Sequence, residues 1–212
     1  MNVITSEAQS LLGISKCHQS AFPDSLSSRL GFQFLKKMFS WYLYDPRGIL
    51  FHIEKDGKVI GYCGGVKVLD HTQHGASTSI TQYSFNQFVL SFLLRPWLLF
   101  HPENRKRYGF IWKNLLSKFG FKSAPKPLST HEREVLYPRF GLVVIGVNAN
   151  SQNQGIGGIL LREFEERAKK ENIKILTLSV KDNNFQAINA YKKSGWIEQS
   201  KISDALIMIK KI

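Results

Sequence analysis

The stretch "LVVIGVNANSQNQGIGGILLREFEERAKK", Leu142 to Lys170, constrains this chain more than any other. Leu142 to Val147 is a short apolar run of strand type. Gly155, Gly157 and Gly158 follow it, and from Gly157 to Lys170 the apolar Ile159, Leu160, Phe164 and Ala168 recur at helical spacing, with charged residues opposite and Asn172 as the stop. A strand that turns into a helix over bare glycines leaves the first amides of that helix without intrahelical acceptors and without side chains in front of them. The macrodipole adds roughly half a positive charge there, so such an end suits a phosphate or pyrophosphate. Two familiar nucleotide motifs do not fit. No Lys-Ser or Lys-Thr follows the glycines, as a P-loop needs, and Leu160 stands where a dinucleotide fingerprint has its third glycine.

The flanks place this unit in a mixed α/β chain. Upstream, Glu7 to His18 and Ser27 to Tyr42 have helical spacing, the second with Leu30, Phe34, Met38 and Trp41 on one stripe. Ile49 to Glu54 and Lys58 to Val68 read as strands joined through "KDGK", whose Asp-Gly tolerates positive φ, so a hairpin is expected. Downstream, Ile173 to Val180 alternates as a strand, Asn184 to Lys193 is helical and stops at Gly195, and two short strands near Trp196 to Ile202 and Ala205 to Lys210 finish the order.

The chain has 212 residues, 43% of them hydrophobic, which suits one compact domain with an insertion. The opening "MNVITSEAQS" lacks a basic stretch leading into an apolar one, so a cytoplasmic protein is expected. Cys17 and Cys63 are the only cysteines and stand in no CxxC or Cys/His cluster, which argues against a structural metal site; no metal ligand is assigned. The net charge of +13 favours anionic partners. Its distribution is uneven: between His71 and Lys126 eight basic residues face the single acid Glu103, a net +7.

"QNQGIG", Gln152 to Gly157, resembles the Q/R-x-x-G-x-G/A signature of the GCN5-related N-acetyltransferases (GNAT), and "LSVKDNNFQAINAYKKSGW", Leu178 to Trp196, is similar to the family's second motif, with Asn184, Ala187, Tyr191 and Gly195 at the matching positions. The resemblance covers Leu142 to Trp196, about a quarter of the chain. It implies a mostly antiparallel central sheet with one splayed strand pair, flanking helices and acetyl-CoA as acyl donor. In that frame main-chain groups of Ile145 and Val147 hold the pantetheine arm and polarise the thioester carbonyl. The loop from Gln152 through Asn153, Gln154, Gly155, Ile156 and Gly157 to Gly158 takes the pyrophosphate. Asn184 and Ala187 border the pantetheine, and Tyr191 protonates the departing thiolate. Tyrosine suits that task because its neutral pKa of about 10 exceeds a thiol's.

Three residues depart from the family's habit. Gln152 replaces the commoner arginine, Ala149 stands where proline is frequent, and Trp196 replaces the usual phenylalanine. Two assignments also have plain structural readings: Asn184 is a good helix N-cap, and Tyr191 is otherwise a core aromatic. A general base is not singled out. The candidates are Glu132 and Glu134, with Asp70, His71 and His131 behind them, each of which is otherwise a solvated charge.

The acceptor side is read from "HQSAFPDSLSSRLG", His18 to Gly31, which looks like segments of a bacterial subset of the family found with surface-polysaccharide enzymes. That resemblance implies an amino-sugar or lipid-linked amine acceptor. A protein or peptide amine, or acyl-CoA binding without catalysis, are the alternatives, and retention of Tyr191 speaks against the last. Arg29 is either solvated or a contact for an acceptor anion. The insertion, about residues 71–130, is longer than a hairpin connection and is expected to be helical. Phe85, Phe88, Val89, Phe92 and Leu93 form one apolar stripe and Ile111, Trp112, Leu115, Leu116 and Phe119 another. With the basic residues around them, these stripes either pack on the domain or rest on an anionic membrane, peripherally at its inner face. Phe88 to Phe100 contains Arg95 and Pro96 and is too short to span. No specific nucleic-acid partner is expected.

Overall fold

The structure is a computed structural model and describes residues 2–70, 76–101 and 138–212. Seven strands form one sheet in the order β1-β2-β3-β4-β5-β7-β6. They are β1 (Asn2–Thr5), β2 (Gly48–Lys55), β3 (Lys58–Val68), β4 (Arg139–Val147), β5 (Ile175–Lys181), β6 (Ile197–Ile202) and β7 (Ala205–Lys211). Among the described strands only β4 and β5 run parallel; the other neighbours are antiparallel. The β2–β3 hairpin forms as the Asp-Gly turn requires, with Asp56 at φ 52° and Gly57 at φ 68°. Strand β1 is not foreshadowed in the sequence, since four residues at the chain start are too few for an alternation to register.

One face of the sheet carries α1 (Leu11–Ala21), α2 (Leu26–Arg29) and α3 (Phe32–Tyr44). The spacing of Ser27 to Tyr42 reads as one helix, but two form. Ser25 caps α2 by accepting the Ser28 amide, and the chain turns at Gly31, φ 94°, before α3 begins. Leu30, Phe34 and Trp41 of the expected stripe are buried with Leu50, Tyr62 and Val66 of the sheet. The opposite face carries α6 (Ile156–Lys170) and α7 (Phe185–Lys193). There Ile156, Leu160, Phe164 and Ala168 pack on Phe51, Cys63, Phe140 and Leu176, with the Phe164 and Phe140 rings stacked at 4.7 Å.

Within the insertion, α4 (Ala76–Tyr83) and α5 (Phe85–Leu94) are helical. Helix α5 is apolar all round, so no single stripe decides its orientation. Phe88 and Phe92 turn inward, Phe88 lying 6.1 Å from Phe34. The outward face is instead made by Leu93 (74% exposed) and Leu94 (66%), continued by Trp97 (63%) and Phe100 (81%). The second stripe, Ile111 to Phe119, and the basic run Arg105 to Arg107 lie outside the described residues. Among the described residues no helix is long and apolar enough to cross a membrane, and no group of three metal-ligating side chains occurs.

Candidate active site

Strands β4 and β5 pair only over Arg139–Leu142 and Ile175–Leu178. Beyond Leu142 and Leu178 the ladder stops, and Val143 to Val147 has a strand partner on one side alone, β3. The register along β3 slips by one between Gly64 and Gly65, so Val143 is an extra residue in β4, a β-bulge. The bulge exchanges the faces of the strand. Phe140 and Leu142 point to the α6 side before it; after it, Ile145 and Val147 do so and Val144 faces the α1 side.

The direction of the main-chain groups follows from one bond. The Asn148 amide donates to Ile60 O at 2.9 Å, which makes Asn148 and Ile60 a hydrogen-bonded pair. Antiparallel pairs alternate, so Gly146 bonds to β3 as well, while Ile145 and Val147 turn their N–H and C=O away from β3 into the gap beside β5. One of these acceptors is occupied: Gln152 Nε2 donates to Val147 O at 3.3 Å. The side chain at the position where the family favours arginine therefore reaches back to the strand.

At the end of β4, a short 3-10 turn (Ala149–Ser151) leads to α6. Gly155 is its N-cap at φ 77°, a left-handed conformation that a Cβ would strain. No side chain caps this helix. The first intrahelical bond runs from the Ile159 amide to Gly155 O at 3.1 Å, which leaves the amides of Ile156, Gly157 and Gly158 without helical acceptors. A Cβ on Gly155 or Gly157 would meet no protein atom within 4 Å. These glycines are thus not demanded by packing. Asn153, at φ 60°, and Gln154 are exposed, and Gln154 Nε2 ties back to Asn150 O at 3.1 Å.

Across the gap, Asn184 Oδ1 accepts the Ala187 amide at 3.2 Å and so is the N-cap of α7. Tyr191, one turn further on, is 9% exposed and tilts against Trp196 at 6.1 Å. Its hydroxyl has no hydrogen-bond partner among the described residues, and burial, with a smaller contribution from Cys63, pushes its pKa up to about 12. The Trp196 indole that replaces phenylalanine is sealed in the core with Nε1 unpartnered among the described residues. Of the candidate bases, His71, His131, Glu132 and Glu134 lie outside the described residues, and Asp70 sits at the end of β3. Arg29 pairs with Asp24 at 2.7 Å on the surface.

Residues 119–196 match the model of the acetyltransferase (GNAT) family. Over that stretch the chain resembles the GNAT acetyltransferases. Acetyl-CoA is the acyl donor of that family, and the open amides at the start of α6 and the unpaired edge of β4 are groups that fit such a ligand. The fold agrees with solved N-acetyltransferase structures. A ribosomal-protein-alanine N-acetyltransferase from Brucella melitensis superposes with a TM-score of 0.57 at 14% identity, each chain covered to 100%. A PaiA N-acetyltransferase from Thermoplasma acidophilum, solved in complex with coenzyme A, gives 0.57 at 11% identity, covering 100% of this chain and 98% of that one. An aminoglycoside 6'-N-acetyltransferase from Acinetobacter haemolyticus gives 0.56 at 12%, covering 95% and 94%. At these identities the likeness carries the fold alone. No curated protein matches the chain significantly in sequence.

Two features of the candidate site are not legible in the sequence. The bulge at Val143 is silent because "LVVIGV" is apolar throughout, so an extra residue disturbs no visible alternation. The pairing of His18 with Tyr62 depends on tertiary contact between α1 and β3, for which a histidine at a helix end is too weak a sign.

Proposed function

We propose that the enzyme moves the acetyl group of acetyl-CoA to a primary amine in the gap between β4 and β5. The observation that carries this reading is the end of the β4–β5 ladder at Leu142 and Leu178, with Ile145 and Val147 turning main-chain groups into the space that opens there. When bound, acetyl-CoA supplies an activated thioester carbonyl. Around it the chain's own groups divide the work. Amides from Asn153 to Gly158 receive the pyrophosphate at a helix end whose dipole favours it. The outward N–H groups of β4 act as fixed donors to the carbonyl oxygen, an electrostatic role in which side-chain identity does not matter. Gln152 Nε2 holds Val147 O, an acceptor that would otherwise be open to an amide of the pantetheine arm. Tyr191 stands on the opposite wall as proton donor to the leaving sulfur; a hydroxyl held neutral by burial keeps its proton at every working pH.

For the acceptor we favour an amino sugar or lipid-linked amine presented at an anionic membrane surface. The support is the exposed apolar face Leu93, Leu94, Trp97 and Phe100, together with the net +7 of residues 71–126. Apolar side chains beside a basic stretch combine insertion with attraction to anionic headgroups. A protein N-terminal amine is the second reading, favoured by the likeness to ribosomal-protein-alanine N-acetyltransferases.

Calorimetric titration with acetyl-CoA tests the site. Binding that is lost when a bulky residue replaces Gly157 is expected. A folded protein that binds no acetyl-CoA at millimolar concentration refutes the reading.

A further inference from the structure

Residues 140–161 carry no charged side chain, so the first charge after Arg139 is Arg162, in the second turn of α6. The loop that leads into the helix therefore offers an anion only neutral groups, and the Gln152 amide is already engaged with Val147 O. The helix end contributes roughly half a positive charge. A pyrophosphate diester brings one negative charge on each phosphoryl group, so the amides alone leave most of it uncompensated.

The Arg162 side chain is aimed at that end. Helical side chains lean toward the N-terminus of their helix, so residue 162 lies over the residue one turn back, Gly158. A Cβ on Gly158 would stand 3.7 Å from Arg162 Nη1. The guanidinium thus borders the space that a side chain at 158 would fill, beside an amide that has no helical acceptor. It is exposed, and no hydrogen bond or ion pair holds it there among the described residues. The acids of α6 are spent on other cations. Glu165 and Glu166, three and four residues on, pair with Lys210 at 2.6 Å and Lys169 at 2.8 Å, and Glu163 pairs with Arg167 at 2.8 Å.

This placement is unfavourable in the empty protein. The helix has no acidic residue in its first turn and no side-chain cap, so the positive end of its dipole is uncompensated, and a guanidinium folded toward it adds like charge to like. A cation that serves the helix alone belongs at the other end, where Arg167, Lys169 and Lys170 stand. What relieves the first turn is an anion.

We propose that Arg162 is a ligand of the acetyl-CoA pyrophosphate: its guanidinium closes on phosphoryl oxygens that the amides of Ile156, Gly157 and Gly158 leave free. This rests on the acetyltransferase reading above. The arginine supplies the charge that the neutral loop lacks, and its planar fork suits two parallel N–H bonds to one phosphoryl group. Gly158 then has a role that packing does not give it, because a longer side chain there would compete with the guanidinium for its place. The contact favours a phosphorylated pantetheine carrier over a free thioester.

Arg162→Gln removes the charge and keeps a good helix former. Calorimetric titration of wild type and variant with CoA, 3′-dephospho-CoA and pantetheine is combined with thermal melts of the empty proteins. CoA and 3′-dephospho-CoA both contain the pyrophosphate, and each is expected to bind the variant about tenfold more weakly, the loss of one charge-assisted contact, whereas pantetheine binds both proteins alike. Arg162→Lys keeps the charge without the fork and should recover part of the affinity. Added salt should weaken CoA binding more steeply in the wild type than in Arg162→Gln. The melting temperature of empty Arg162→Gln should equal or exceed that of the wild type, since a like charge has left the helix end; a structural arginine would give a lower one. Equal CoA affinity in wild type and Arg162→Gln overturns the proposal, as does an equal loss with pantetheine or a lowered melting temperature. A loss with CoA that is absent with 3′-dephospho-CoA puts the guanidinium on the 3′-phosphate and overturns its assignment to the pyrophosphate. Failure of the folded wild type to bind any of the three is a different result: it removes the acetyltransferase reading itself, and the proposal with it.

Discussion

Acidification should unfold this protein partly through His18. Its pKa is lowered from 6.5 to about 4 by burial. The groups in contact with its ring are Phe22, Phe39, Tyr62 and Ser27, none of which is charged between pH 4 and 7. Desolvation is therefore the cause, and the sign follows. The unfolded chain protonates this imidazole below pH 6.5 whereas the folded protein does so only near pH 4, so its contribution is complete above 6.5 and is lost as the pH falls between the two values. At about 1.4 kcal/mol per unit, the loss is about 3 kcal/mol, a large share of a stability that is commonly about 5–15 kcal/mol. Urea unfolding of wild type and His18→Gln at pH 7, 6, 5 and 4.5 measures it. Carboxylates such as Asp45, held below its usual pKa by the Arg47 guanidinium, lose their contribution at lower pH and cancel in the difference between the two proteins. Down to pH 4.5, where the loss is not yet complete, that difference should move by about 2.4 kcal/mol in favour of the variant. A difference that stays flat from pH 7 to 4.5 refutes the reasoning.

Two further outcomes bear on the site. Gly157→Ala adds a methyl group that meets no protein atom, so it should leave stability unchanged or raise it by up to about 1 kcal/mol, while weakening acetyl-CoA binding; calorimetry and thermal melts separate the two effects. Tyr191→Phe should lower kcat by about a hundredfold with acetyl-CoA affinity intact, and because burial pushes the Tyr191 pKa to about 12, the wild-type pH–rate profile should show no loss from this group up to pH 10.

The sequence announces the fold where local chemistry and tertiary packing agree. The β2–β3 turn was legible because Asp56 and Gly57 tolerate the φ values that the hairpin needs, and α6 because its apolar stripe, Leu160, Phe164 and Ala168, is also its buried face. It misleads at α2–α3, where the apolar spacing runs on through Gly31 although the backbone turns there. On α5 both sides are apolar, so the spacing could not say that Phe88 and Phe92 face inward and Leu93 and Leu94 outward. In the candidate site, the glycine helix end stands out because glycine is a backbone signal. The gap beside β4 and the pairing of His18 with Tyr62 are relations between distant segments, and no window of sequence contains them.

The short parallel ladder also has a mechanical consequence. Among the described residues four pairs, Arg139–Leu142 with Ile175–Leu178, are the only strand pairing between a half-sheet of β1 to β4 and one of β5 to β7. The sheet is in effect two plates joined at one end by a narrow weld. An extended ligand lying along the free edge of β4 acts as a splint across the open end, so occupancy should make the two plates open to solvent exchange together, where the empty protein lets the β5–β7 plate open by itself.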